Sequence, residues 1–190
     1  EVAEITDRVT KAGGPALLFE RVKGSPWPLL INTFGTRERM CLALGCTDFD
    51  ELAARVKALL KPEIPTTLLQ KLKKLPELAQ LGSLPPRIVK RGVCQEVVHT
   101  DDADLFTLPT LKCWPQDGGR YITLGAVFTK HPETGDRNVG MYRVQLFEPK
   151  LAAMHWHMHH DGARHFRRYQ ERKQRMPLAI ALGGPPVVPY

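Results

Sequence analysis

The strongest constraint on the fold lies between residues 121 and 159. Three apolar, loosely alternating segments, 121–130, 139–147 and 151–159, are separated by connections shorter than the roughly twelve residues a parallel crossover needs. The first connection, 131–137, contains Pro132 and Gly135, and the second is the turn Glu148-Pro149. The three segments are therefore expected to pair as an antiparallel meander, which gathers whatever chemistry they carry onto one sheet.

The third segment contains His155-Trp156-His157-Met158-His159-His160, and five of the chain's seven histidines fall between His155 and His165. Such concentrated use of a common metal-ligand side chain points to metal, anion or proton chemistry. If the strand runs through His159, then His155, His157 and His159 share one face, and Trp156, Met158 and His160 share the other. A histidine-rich edge strand facing solvent fits the same pattern.

The rest of the chain bounds the class of protein. With 190 residues, 43% hydrophobic and 25% charged, it has enough length for one domain or two small ones with a true core. No apolar run approaches the ~20 residues of a membrane span. The opening residues, Glu1 to Asp7, lack the basic and apolar regions of a signal peptide, and the missing initial methionine leads us to expect residues upstream. Cys41, Cys46, Cys94 and Cys113 form no Cys-x-x-Cys pair, so reduced thiols of a cytoplasmic protein are expected rather than a disulfide framework.

The net charge of +7 is concentrated in two runs. One comprises Arg164, Arg167, Arg168, Arg172, Lys173 and Arg175; the other comprises Lys71, Lys73, Lys74, Arg87, Lys90 and Arg91. Such runs allow an anionic partner such as nucleic acid, and more often mark a solvated helix face. Aromatic residues are sparse in both, which weighs against single-strand stacking.

Gly13-Gly14-Pro15 reads as a turn into a short buried strand over 16–19, and 27–34 as a second strand ending at Gly35. Thr36 is placed to cap a helix running to Leu44, with Gly45 beyond its end. Asp48 and Glu51 form a capping-box pattern ahead of Leu52, Val56, Leu59 and Leu60, an amphipathic spacing that Pro62 stops. Two short helices broken at Pro76 are expected over 68–81, and the character changes near Leu84-Pro85-Pro86. Beyond lie a strand over 93–99, the meander, a basic helix over 161–176 and a final strand over 178–182. The fold class is α+β.

Two segments of the meander carry the candidate chemistry. Asn138-Val139-Gly140-Met141-Tyr142-Arg143 and the histidine segment are separated by one tight turn, so they are expected to pair as neighbours, with Asn138 and His159 at the same end of the hairpin. An amide oxygen and an imidazole nitrogen suit a borderline-to-hard divalent cation such as Mn²⁺, although two ligands need a carboxylate or a ligand phosphate to complete them. A turn asparagine is the plain alternative for Asn138. Gly140 would let a flat or phosphorylated ligand approach the backbone, or mark a bulge. Arg143 has the fork that grips a carboxylate or phosphate, and a surface strand arginine is its plain alternative. Strict alternation puts Asn138 and Arg143 on opposite faces, so either Asn138 lies in the turn or the strand bulges.

The run Asn138 to Arg143, followed by Trp156 and His159-His160-Asp161-Gly162-Ala163, resembles the cofactor-binding signature of the UbiD family of decarboxylases. The run Ala12 to Glu20, Asn32-Thr33-Phe34-Gly35, Leu108-Pro109, Cys113-Trp114-Pro115 and Ala181-Leu182-Gly183-Gly184 also resemble family landmarks, in the family's order. The resemblance implies an N-terminal α/β region, residues 1–90, followed by an incomplete split β-barrel of the flavin-reductase type, residues 91–190. It implies that Asn138 and His159 are ligands of Mn²⁺, often with K⁺ nearby. Met141, Tyr142 and Arg143 match positions lining prenylated FMN, and His155, Trp156, His157, His160 and Asp161 fall where the family makes further cofactor contacts. Arg143 would also orient the substrate carboxylate.

The implied reaction is decarboxylation of an aromatic or α,β-unsaturated acid, with a hydroxybenzoate of quinone biosynthesis as the best match. The cofactor adds covalently to the substrate double bond and acts as the electron sink, and a glutamate protonates the product carbon. A flavin prenyltransferase would supply the cofactor, and the full-length protein would form a homo-oligomer without membrane insertion. Family members continue well beyond Tyr190, so the chain is expected to be an N-terminal fragment, inactive alone. The third metal ligand and the proton-donating glutamate would lie in the remainder; neither Glu133 nor Glu148 matches those positions. A split barrel holding ordinary FMN without catalysis and a basic nucleic-acid-binding domain are the competing readings.

Overall fold

The computed structural model describes residues 2–60 and 87–185. The helices expected over 68–81, the prolines at 62, 76, 85 and 86, and the lysines at 71, 73 and 74 lie outside the described residues. The chain divides into two compact units, Glu1–Thr47 with Ala103–Tyr190, and Asp48–Asp102.

In the first unit, helix α1 (Val2–Lys11) leads through Gly13, whose φ of 66° makes the turn, into an antiparallel pair of strands, β1 (Leu17–Phe19) and β2 (Leu29–Ile31). Both strands are shorter than expected and neither is buried, since Leu18 and Leu30 point to solvent. Helix α2 (Arg37–Leu44) follows the sequence signals closely. The Thr36 side chain accepts from the Arg39 amide, and Gly45, at φ 65°, takes the left-handed conformation that glycine adopts without a Cβ penalty.

Helix α3 (Phe49–Leu60) belongs to the second unit, and the Asp48 carboxylate accepts from the amides of Asp50 and Glu51 at its start. The strand expected over 93–99 is absent. Val93–Gln95 is a single 3-10 turn, and Val93, Val97 and Val98 are exposed, so the alternation there has no sheet to join.

The meander is present with a break that local alternation does not reveal. Its first arm divides into β3 (Arg120–Ile122) and β4 (Ala126–Lys130), and its second into β5 (Arg137–Met141) and β6 (Arg143–Glu148). β3 pairs with β6, and β6 with β7 (Leu151–His155), to form one three-stranded antiparallel sheet. β5, β4 and β8 (Ala179–Ala181) form another. One long hairpin thus passes from sheet to sheet, bending at residues 123–125 on one arm and at Tyr142 on the other.

Gly125 allows the bend. A Cβ there would sit 2.8 Å from Ile180 Cγ2, so only glycine lets the chain turn against β8. Around the bend Ile122, Val144 and Leu146 form the core, with Leu105, Phe106, Leu108, Met154 and Ile180 packed against them. Each such buried aliphatic contributes about 1.5–3 kcal/mol relative to exposure. Helix α4 (Asp161–Glu171) covers the sheet carrying β4 and β5, presenting Gly162, Ala163 and His165 inward.

Candidate cofactor and metal site

The site gathers around the bend in the second arm. Tyr142, buried, interrupts the strand between β5 and β6. Its hydroxyl accepts from the Asn138 side-chain amide at 3.3 Å and from the Gly162 backbone amide at 3.4 Å. Its ring lies edge-on to Trp156 at 6.0 Å and beside His160 at 5.3 Å, and Trp156 in turn meets Phe166 at 5.7 Å. Tyr142 therefore joins Asn138 to the turn after β7 and to the start of α4.

Glycine makes room for this ring. A Cβ on Gly140 would lie 2.6 Å from Tyr142, and one on Gly162 would lie 3.0 Å from Trp156 and 3.3 Å from Tyr142. The space at Gly140 is filled by the protein's own tyrosine, which differs from the expected approach of a ligand or a bulge.

Three further expectations are corrected. Asn138 does not lie in the strand that pairs with the histidine segment, because β5 pairs with β4 and places Asn138 opposite Thr129. Neither a turn nor a bulge reconciles Asn138 with Arg143; the strand breaks at Tyr142 and changes sheets. The shared face of His155, His157 and His159 does not form either, because β7 ends at His155 and the chain then turns, with the His160 amide bonded to the His157 carbonyl at 3.0 Å. Among the described residues no group of three or more His, Cys, Asp or Glu side chains is arranged to hold a metal ion.

The remaining candidates fall into two groups. His157, His159 and His160 are exposed and close, with ring centroids 5.1 Å apart for the first two and 6.0 Å for His157 and His160. Asp161 starts α4 and pairs with Arg164 at 2.8 Å. Arg143 and His155 form the second group, directly opposite each other in the β6–β7 register and both exposed. The His155 ring meets the Gln145 side-chain oxygen at 3.3 Å, which also accepts from the Tyr121 hydroxyl at 3.0 Å. Met141 ends β5, exposed.

A buried residue beside the site escaped sequence reasoning. His165, only 1% exposed, meets the Thr129 hydroxyl at 2.9 Å and the His131 ring edge at 5.4 Å. Burial, reinforced by the neighbouring His131 and Arg164, lowers its pKa and keeps it neutral. Gly162, His165, Phe166 and Tyr169 stand at the 0, 3, 4, 7 spacing of an inward helix face, and that spacing was the available signal. On the other side of α4 the arginines are engaged within the protein. Arg168 pairs with Glu171 at 2.9 Å, Arg172 with Glu133 at 3.1 Å, and Arg167 donates to the Met158 carbonyl at 2.8 Å.

Asn138 and His159 each carry a donor atom that no described contact uses. The Asn138 amide nitrogen is used by Tyr142, which turns its oxygen into the free donor, and the exposed His159 supplies an imidazole. An amide oxygen and an imidazole nitrogen are donor types that a borderline-to-hard divalent cation accepts.

Comparison with known proteins decides the family. Residues 87–190 match the "3-octaprenyl-4-hydroxybenzoate carboxy-lyase Rift-related domain" of UbiD, and residues 1–59 match the corresponding N-terminal domain. The chain belongs to the UbiD family. An uncharacterized protein of Aquifex aeolicus (strain VF5) is 48% identical over 192 residues, covering 100% of this chain and 40% of that protein. The closed form of vanillic acid decarboxylase from Sedimentibacter hydroxybenzoicus superposes with a TM-score of 0.77 at 28% identity, over 100% of this chain and 38% of that one. An evolved dimeric form of the UbiD-class enzyme HmfF from Pelotomaculum thermopropionicum, in complex with prFMN, gives 0.74 at 25% identity, over 96% and 38% respectively. This UbiD chain thus spans about 40% of the length of the relatives it matches. No described helix is long and apolar enough to cross a membrane.

Proposed function

We propose that this chain is the cofactor-holding part of a prenylated-FMN-dependent decarboxylase acting on an aromatic or α,β-unsaturated acid. The observation that carries the reading is the Tyr142 cluster, in which one buried side chain draws Asn138, Trp156, His160 and Gly162 together. Asn138, Tyr142, Trp156, His160 and Gly162, which the resemblance places in the family's signature, meet there although separated in sequence. The prFMN complex of the HmfF relative and the naming of the Sedimentibacter relative as a vanillic acid decarboxylase support the cofactor and the substrate class. A hydroxybenzoate-type acid of quinone biosynthesis is the preferred substrate.

In this reading residues 1–90 form the N-terminal region, and residues 91–190 form an incomplete split barrel whose bent hairpin is the barrel's corner. Asn138 and His159 hold Mn²⁺, with K⁺ nearby, and a carboxylate from outside this chain completes the set. Met141, Tyr142, Arg143, His155, Trp156, His157, His160 and Asp161 surround the cofactor. When bound, prenylated FMN supplies the electron sink for loss of CO₂. The protein's contribution is orientation: the Arg143 fork would donate two hydrogen bonds to the substrate carboxylate, and the edge-to-face Trp156–Tyr142 pair would exclude water on one side. The full-length protein is expected to self-associate and to take its cofactor from a flavin prenyltransferase.

The test is production of the full-length protein together with that prenyltransferase, followed by absorbance spectroscopy and assay of CO₂ release from a panel of aromatic acids. Full-length protein that retains flavin but releases CO₂ from none of them would favour the non-catalytic FMN-binding module.

A further inference from the structure

We propose a second ligand site, distinct from the Tyr142 cluster, that binds the carboxylate of a compact organic acid. It is a cleft of about 470 Å³ within the first unit, with Val22, Leu108 and Leu111 among its walls and Lys23, Lys112 and Arg120 around it.

The scaffold fixes the three cations. Leu111 and Tyr121 form an isolated antiparallel bridge, with the Tyr121 amide bonded to the Leu111 carbonyl at 3.1 Å. Lys112 and Arg120, the chain neighbours of the two bridged residues, both line the cleft. Lys23 comes from the turn between β1 and β2, which the Ser25 hydroxyl ties to the Thr107 carbonyl at 2.6 Å. Like charges gathered at one cleft repel. Here no carboxylate offsets them: among the described residues none lines the cleft, and none forms an ion pair with Lys23, Lys112 or Arg120.

An anion resolves the repulsion, and the walls say which kind. Half-buried Val22, Leu108 and Leu111 offer apolar surface that a bare inorganic ion leaves uncovered, while an organic acid can lay its body there and its carboxylate between Lys112 and Arg120. The arginine fork accepts a carboxylate through two parallel hydrogen bonds. The volume lies within the ~300–1,000 Å³ range of small-molecule sites.

The test uses full-length protein carrying Arg143→Ala, which removes the carboxylate grip of the candidate centre, and isothermal titration with benzoate. One saturable site is expected. Adding Lys112→Gln and Arg120→Gln should weaken it by roughly tenfold or more, while Lys112→Arg with Arg120→Lys, which keeps both charges, should stay within a few-fold. Benzyl alcohol, the same ring without the charge, should not bind, and inorganic phosphate should compete only at much higher concentration. Benzoate affinity unchanged by the glutamine pair, or phosphate binding as tightly as benzoate, overturns the proposal. The titration needs no bound flavin, so it remains informative if the decarboxylase reading fails.

Discussion

The Tyr142 hydroxyl accepts a hydrogen bond from the Asn138 side-chain amide at 3.3 Å, across the point where the strand leaves one sheet for the other. That bond orients the asparagine, since with its nitrogen held by the phenol its oxygen is the atom left to meet a ligand. Tyr142→Phe should leave the fold in place, costing about 1 kcal/mol of stability. In the full-length protein it should weaken Mn²⁺ retention by roughly tenfold, as loss of a ligand-orienting partner does. Metal analysis after dialysis against graded chelator reads this directly, and unchanged retention would separate Tyr142 from the metal.

The ring itself depends on glycine. Gly140→Ala places a methyl 2.6 Å from Tyr142 and should destabilise the full-length protein by about 1–3 kcal/mol. Gly162→Ala meets its neighbours only at 3.0–3.3 Å and should cost less. Urea denaturation curves give the order, and a larger effect at Gly162 would mean that the ring does not sit where described.

His165 predicts an acid-side loss of stability. Its folded pKa is lowered, so in the window between that value and the ordinary ~6.5 the unfolded chain binds more protons. Stability is therefore full above about pH 6.5 and falls as the pH drops through the window. His165→Phe should flatten this dependence, which melting temperatures between about pH 7.5 and 4.5 would reveal.

Cys113 gives a chemical test of its surroundings. Desolvation by its neighbours, reinforced by the Asp117 carboxylate, raises its thiol pKa. Its alkylation by iodoacetamide should thus reach half-maximal rate above the ~8.5 of an ordinary free cysteine. Asp117→Asn should move the midpoint down only in part, since desolvation is the larger cause; a full return would reverse that order.

The elements whose determinants are local were legible in the sequence. Thr36 and Gly45 bracket α2, and Asp48 opens α3, because capping depends on a few adjacent residues. The bend at Tyr142 was hidden because residues 139–147 alternate like one strand, and only pairing partners distant in sequence decide where a strand changes sheets. The exposed valines at 93, 97 and 98 mislead for the same reason. In the site, the signature residues were visible but their neighbours were not. Asn138 was expected against the histidine strand and lies opposite Thr129, while Tyr142, expected only to line a cofactor, is the residue that brings the groups together.

The central claim is that Asn138 and His159 serve one metal site beside a bound flavin. The most direct measurement is the manganese content of full-length protein produced with a flavin prenyltransferase, compared with Asn138→Ala and His159→Ala, alongside the flavin absorbance of each. The account predicts near-stoichiometric Mn²⁺ and flavin in the parent protein, with loss of both in each variant. Manganese and flavin retained equally in all three proteins would contradict it.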